Sequence, residues 1–199
     1  MLFQQFSGVN AVIFYTSSIF SAAGSDLDAN ISSIIVGVVQ FVSTFVSTLV
    51  VDRLGRKILL IGSAAVMCIC QLLLGVFFYL KDDDENSVES IGWLPLLSLC
   101  LFMVAFSLGF GPIPWMMVSE LFPPSTKGFA SSLASCFNWI LAFLVTKFFT
   151  NLKDAMGSGP TFWLFMAILA VGTCFVVFFV RETKGKTVEE IQRELEGGK

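Results

Sequence analysis

Six apolar runs, at roughly 2–22, 32–51, 58–80, 91–118, 129–150 and 160–180, divide the chain. Each is close to the ~20 residues a helix needs to cross the hydrocarbon of a bilayer, and none alternates with the period of a strand. With 55% hydrophobic and 14% charged residues and a mean hydropathy of +0.82, there is more apolar surface than a soluble domain of 199 residues can hide. The expected fold class is an all-α membrane protein with six transmembrane helices, its partner the lipid bilayer.

The connections orient these spans. "DRLGRK" at 52–57 carries three basic residues against one acid, whereas "KDDDENSVES" at 81–90 carries one base against five acids. Nine of the Lys and Arg residues (Arg53, Arg56, Lys57, Lys127, Arg181, Lys184, Lys186, Arg193 and Lys199) fall on one side and three (Lys81, Lys147 and Lys153) on the other. The positive-inside bias makes the "DRLGRK" side and the C-terminus cytoplasmic. After the last span, "TVEE" offers Thr187 and Glu190 as a capping box, with Val188, Ile191 and Leu195 on one side of a short amphipathic helix. Only three residues precede Gln4, too few to carry it to the membrane surface, so the first span is expected to be truncated.

Much chemistry is excluded. The chain has no histidine, and its five cysteines all sit in apolar stretches, which suits packing residues better than ligands or disulfides. No nucleophile, acid and base stand together, so no enzyme is expected, no cofactor or metal is implied, and no nucleic acid is a partner.

Two spans carry interruptions. "GFGPIPW" at 109–115 places two glycines and two prolines inside a run that must otherwise satisfy its own backbone. In lipid such a break is tolerated only against protein or a water-filled cavity. Pro112 and Pro114 remove donors while Gly111 offers no side chain to resist bending, so the helix should kink or unwind there and let one half swing. In the first span, "QQFSGVN" sets Gln4, Gln5 and Asn10 within two turns. On a regular helix Gln5 and Asn10 would stand about 140° apart and Gln4 and Asn10 about 120°, and unwinding near Gly8 could bring them together. Gln40 and Asn138 add amides on two further spans. One buried amide is as readily interhelical glue as a ligand group. Five of them, beside Trp115, weigh toward a polyol site in which amides take hydroxyls and rings take C–H faces. Interrupted segments at matching positions of two three-helix repeats point the same way.

In order and spacing, "QQFSGVNAVIFYT", "DRLGRK", "GFGPIPW", "SELFP", "FNW" and "RETKG" resemble the C-terminal half of sugar porters of the major facilitator superfamily. Among these the chain is similar to insect facilitated trehalose transporters and class III facilitated glucose transporters. The resemblance implies one half of a twelve-helix fold, with 1–180 as the bundle and 181–199 as a cytoplasmic tail. It implies facilitative transport of trehalose or a hexose by alternating access across the cell membrane. A non-transporting sugar sensor, or a membrane regulatory protein, is the alternative. The implied partners are the sugar and the N-terminal six-helix half. Gln4, Gln5, Asn10, Asn138 and Trp115 would contact sugar, Gln40 would stand where asparagine is common, and Phe106 and Trp139 would line the pocket. Ser107 stands where many hexose transporters of the family have glutamate. Asp52, Arg56, Glu120, Lys127 and Glu182 read as ordinary snorkelling charges by position alone. The resemblance makes them a salt-bridge network locking an inner gate.

Overall fold

The computed structural model describes residues 1–24, 28–84, 88, 90–186 and 190–191. The capping box and most of the amphipathic helix expected after Lys186 lie outside the described residues, as does the side chain of Asp52. Eight helices follow one another: α1 Leu2–Phe6, α2 Val9–Ala23, α3 Ala29–Leu54, α4 Arg56–Asp83, α5 Leu94–Leu108, α6 Ile113–Leu121, α7 Pro124–Met156 and α8 Ser158–Phe179. Taken in register, α1 with α2 and α5 with α6 make single spans, so six helical segments are long and apolar enough to cross a membrane. The two divided spans are the two whose sequences carry interruptions. Among the described residues there is no strand.

Local chemistry sets the ends. The Asp28 carboxylate caps α3, accepting from the amides of Asn30 at 2.8 Å and Ile31 at 3.3 Å. Pro124 begins α7 at a position where a missing N–H costs nothing. At 33 residues α7 outruns its apolar stretch at both ends. Its rise of about 50 Å exceeds the ~30 Å hydrocarbon core, so the ends reach into the headgroup regions. A further bend lies inside α2, where Tyr15 leaves helical geometry (φ −110°, ψ 16°) and its hydroxyl donates to the Thr146 carbonyl at 3.3 Å.

The core lies between α4, α5, α8 and the divided spans. Met67, Leu74, Phe77, Leu99, Phe102, Met103, Ile113 and Leu169 are fully enclosed. Phe78 stacks on Phe162 at 5.5 Å and Phe149 on Phe165 at 6.2 Å, tying α4 and α7 to α8. The α4–α8 pair is the most extensive, and small residues let it close: a Cβ on Gly159 would stand 2.9 Å from the Gly75 carbonyl oxygen. By contrast, Ile34, Val38, Phe41 and Phe45 on α3 and Phe129, Leu133 and Phe143 on α7 stay exposed, as expected of helices that meet lipid or another bundle. Gly159→Val should therefore pry α4 from α8 and cost about 1–3 kcal/mol or more. Thermal unfolding in detergent checks this, and an unchanged midpoint would contradict the close approach.

Candidate functional site

Gly8 creates the first half of the site. Its φ of +79° lies in the left-handed region, and a Cβ there would come within 2.7 Å of the Phe165 ring. The chain therefore turns between α1 and α2 instead of continuing as one helix. That turn brings Asn10 to Gln5: the Asn10 amide donates to Gln5 Oε1, and Gln5 Nε2 donates to Asn138 Oδ1 at 2.7 Å. Carboxamides from α1, α2 and α7 thus form one chain of hydrogen bonds. Gln5 and Asn138 are buried and Asn10 is half-buried. The Asn138 Nδ2 and the Asn10 Oδ1 take no part in that chain and neither is among the sealed, unpartnered atoms, so a donor and an acceptor stay uncommitted. Trp139, beside Asn138, is 68% exposed.

The second break arises from proline. Pro114 has no N–H to offer the Phe110 carbonyl, and the Trp115 amide turns to Pro112 O at 3.2 Å, which leaves the Gly111 carbonyl free as well. Gln4 Nε2 donates to both freed oxygens, at 2.7 Å to Phe110 and 3.0 Å to Gly111. A wide turn completes the break, the Gly111 amide reaching Phe106 O at 2.7 Å. Gln4 accordingly stands apart from the Gln5–Asn10–Asn138 chain, with its donor spent on the break and its Oε1 buried without a partner. Trp115 is 38% exposed on α6, while Phe106 is half-buried. Gln40 is half-buried on α3, and its backbone carbonyl accepts from the Thr44 hydroxyl at 2.9 Å. Thr44 also approaches Ser107 Oγ at 3.4 Å, linking α3 to α5.

At the end of the bundle where "DRLGRK", "SELFP" and "RETKG" meet, charges form a compact knot. Arg56 donates to Glu120 Oε1 through Nε at 3.2 Å and Nη2 at 3.0 Å, and Thr183 Oγ1 donates to the other Glu120 oxygen at 2.5 Å. Gly55 precedes α4 with φ +95° and has no side chain to cap it. Glu182 does so from a distance, accepting from the amides of Arg56 at 2.9 Å and Lys57 at 3.0 Å. Partial burial pushes the Glu182 carboxyl up, but backbone donors at Lys184, Arg56, Lys57 and Thr183 together hold it below the ordinary value of 4.5. Lys127 is exposed in the first turn of α7 and stands outside this knot.

Three participants escaped the reading of the sequence. Gln71 on α4 is 0% exposed and donates to Ser7 O at 3.0 Å, while Gly55 and Thr183 complete the knot. A glutamine within the third apolar run was visible; its partner, 64 residues away, was not.

Six candidate spans, two of them interrupted where buried amides gather, define a multi-pass membrane protein. The chain belongs to the sugar (and other) transporter family, whose model matches residues 1–195. It is 52% identical over 198 residues to the facilitated trehalose transporter Tret1 of Bombyx mori, covering 100% of this chain and 39% of that one. To the Tret1 of Aedes aegypti it is 50% identical over 197 residues, covering 99% of this chain and 24% of the relative. Among solved structures, the proton:xylose symporter XylE bound to 6-bromo-6-deoxy-D-glucose superimposes with a TM-score of 0.81 at 33% identity, over 96% of this chain and 40% of that one. The inward-open form of XylE from E. coli matches with the same TM-score of 0.81 at 31% identity, over 96% and 39%. The chain thus spans between a quarter and two fifths of the length of these relatives.

The knot has a pH signature. Because the folded-state pKa of Glu182 is depressed, its contribution is complete above about 4.5 and is lost as pH falls through the lower folded value. Thermal unfolding measured from pH 6 downward should show wild type more stable than Glu182→Gln at the upper end, the two converging in acid. A constant difference across that range would remove the carboxylate from its capping role.

Proposed function

We propose that this chain is the C-terminal six-helix half of a twelve-helix facilitative transporter that carries a sugar, trehalose or a hexose, by alternating access. The bundle takes in 1–180 and 181–199 forms a tail on the cytoplasmic side of the cell membrane, where the basic residues gather. The observation that carries the reading is the Gln5–Asn10–Asn138 chain, which leaves a donor and an acceptor uncommitted. A pyranose hydroxyl both donates and accepts, and such a pair suits it. Trp115 and Trp139 supply rings for the sugar's C–H faces, Gln40 a further amide from α3, and Gln4 the link from the site to the α5–α6 break.

Gating follows from the two ends of α6. Gly111, Pro112 and Pro114 let it pivot, and a cavity of about 210 Å³ beside Gln4, Phe110 and Pro114 gives it room. At its other end Glu120, with Arg56 and Glu182, closes the inner side. Asp52 and Lys127 join the lock from neighbouring helix ends when the second bundle is in place. The chemistry is binding and release, with no covalent step and no cofactor. Relatives named as facilitated transporters support diffusion down a gradient.

Uptake of radiolabelled trehalose and glucose by the chain joined to a matching N-terminal half tests the reading. Gln5→Ala should lower kcat/KM at least about tenfold, since it removes the central member of the amide chain and leaves Asn138 Oδ1 unpaired. Saturable uptake indifferent to this change would take Gln5 out of the site. Pro114→Ala returns an N–H to Phe110 O in competition with Gln4 and stiffens the break. It should cut the maximal rate several-fold with KM nearly constant, and an equal effect on both would argue that the break binds and does not move.

A further inference from the structure

We infer that Gln71 is a positioning residue for the sugar site: its buried amide replaces the backbone donor missing at the α1–α2 break and so holds Asn10 against Gln5. The inference rests on the transport reading for its functional consequence, though not for its geometry. In an unbroken helix the Ser7 carbonyl would accept from the amide of Ala11. The left-handed turn at Gly8 moves that amide away, and the first backbone bond of α2 runs instead from Val12 to Gly8 O at 2.9 Å. Ser7 O, in a residue fully buried, then accepts from Gln71 Nε2 at 3.0 Å. The Ser7 hydroxyl turns inward too, donating to Gln4 O at 2.6 Å.

The cost side of Gln71 favours positioning over general stability. Its Oε1 is buried with no partner, and its exposure is 0%. A methionine or leucine would fill the same space without an unpaired oxygen, so the amide is worth keeping only for what its N–H does. The support is also well placed. Gln71 belongs to α4, and Phe165, whose ring fills the space a Gly8 side chain would need, belongs to α8. The break that aligns the amide chain is thus pinned from both members of the most tightly packed helix pair.

The experiment uses the full transporter and two variants. Gln71→Met keeps the length and removes the donor; Gln71→Asn keeps the amide but shortens its reach. Hydrogen exchange over residues 8–12 should accelerate about tenfold in Gln71→Met and less in Gln71→Asn, because the turn opens more often. The KM for sugar should rise about fivefold with the maximal rate per folded molecule within twofold, as expected when the aligned form is less populated. The thermal midpoint of Gln71→Met should change little, because losing the bond to Ser7 O is offset by removing the buried, unpaired Oε1. Unchanged exchange overturns the proposal. So does a lowered midpoint with reduced rate and unaltered KM, the pattern of a residue that only packs. If wild type shows no saturable sugar uptake, the transport reading fails by itself, and the exchange measurement still decides where Gln71 acts.

Discussion

A helix that breaks inside a bilayer must find new partners for the carbonyls it frees, and everything notable in this bundle follows from how that debt is met. Water is absent from the hydrocarbon, so each orphaned oxygen needs a protein donor close at hand. Here glutamine side chains supply them: Gln4 serves Phe110 and Gly111, and Gln71 serves Ser7. A side-chain donor differs from a backbone donor in one respect that matters for motion. It sits on flexible torsions and can follow a carbonyl through a change of angle, whereas an i→i−4 bond exists only in one helical geometry. Replacing backbone donors by amides keeps the breaks satisfied without making them rigid.

The same substitution explains why amides of identical type divide into two tasks. Gln4 and Gln5 are neighbours in sequence, yet one faces the α5–α6 break and the other faces Asn138 on α7. Adjacent helical positions lie about 100° apart, so consecutive glutamines necessarily address different helices. Gln4 therefore connects the two breaks directly, being anchored one turn before the first and bonded to the carbonyls of the second.

Much of this was legible from residues alone, for reasons that can be named. Long uncharged runs have one stable outcome in lipid, so six spans could be drawn, and Pro112, Pro114 and Gly8 marked where two would divide. The helical angle between Gln5 and Asn10 suggested that unwinding near Gly8 could bring them together, and the turn at Gly8 is where they meet. The partner of Gln4 was not legible, because the direction of a side chain beside a break depends on where the other broken helix lands. Gln71 was hidden for the same reason. Its apolar surroundings on α4 gave no hint that it faced a freed carbonyl. At the knot, positional reading left Arg56, Glu120 and Glu182 between snorkelling and pairing. Only tertiary packing could bring "RETKG" under the first turn of α4, where a glycine N-cap leaves amides unserved.

The knot and the breaks are joined by α6. This helix has nine residues, about 14 Å of rise, running from Pro112 at the second break to the turn that carries Glu120. In the proposed transport cycle, a short segment with a soft joint at one end and an ion pair at the other would serve as a lever. While Arg56 holds Glu120, α6 is fixed at both ends and the break keeps its shape. In the proposed cycle, once Arg56 and Thr183 both release Glu120, α6 would keep its bonds to Gln4 at Phe110 and Gly111. Arg56 and Glu120 keep 13% and 23% of their side chains exposed, so water reaches the pair and can compete for it. Glu182 remains behind as the cap of α4, and α4 continues to hold Ser7 through Gln71. In the proposed transport cycle, opening at the knot would reach α1 through α6 and Gln4, with the α4–α8 pair as the frame.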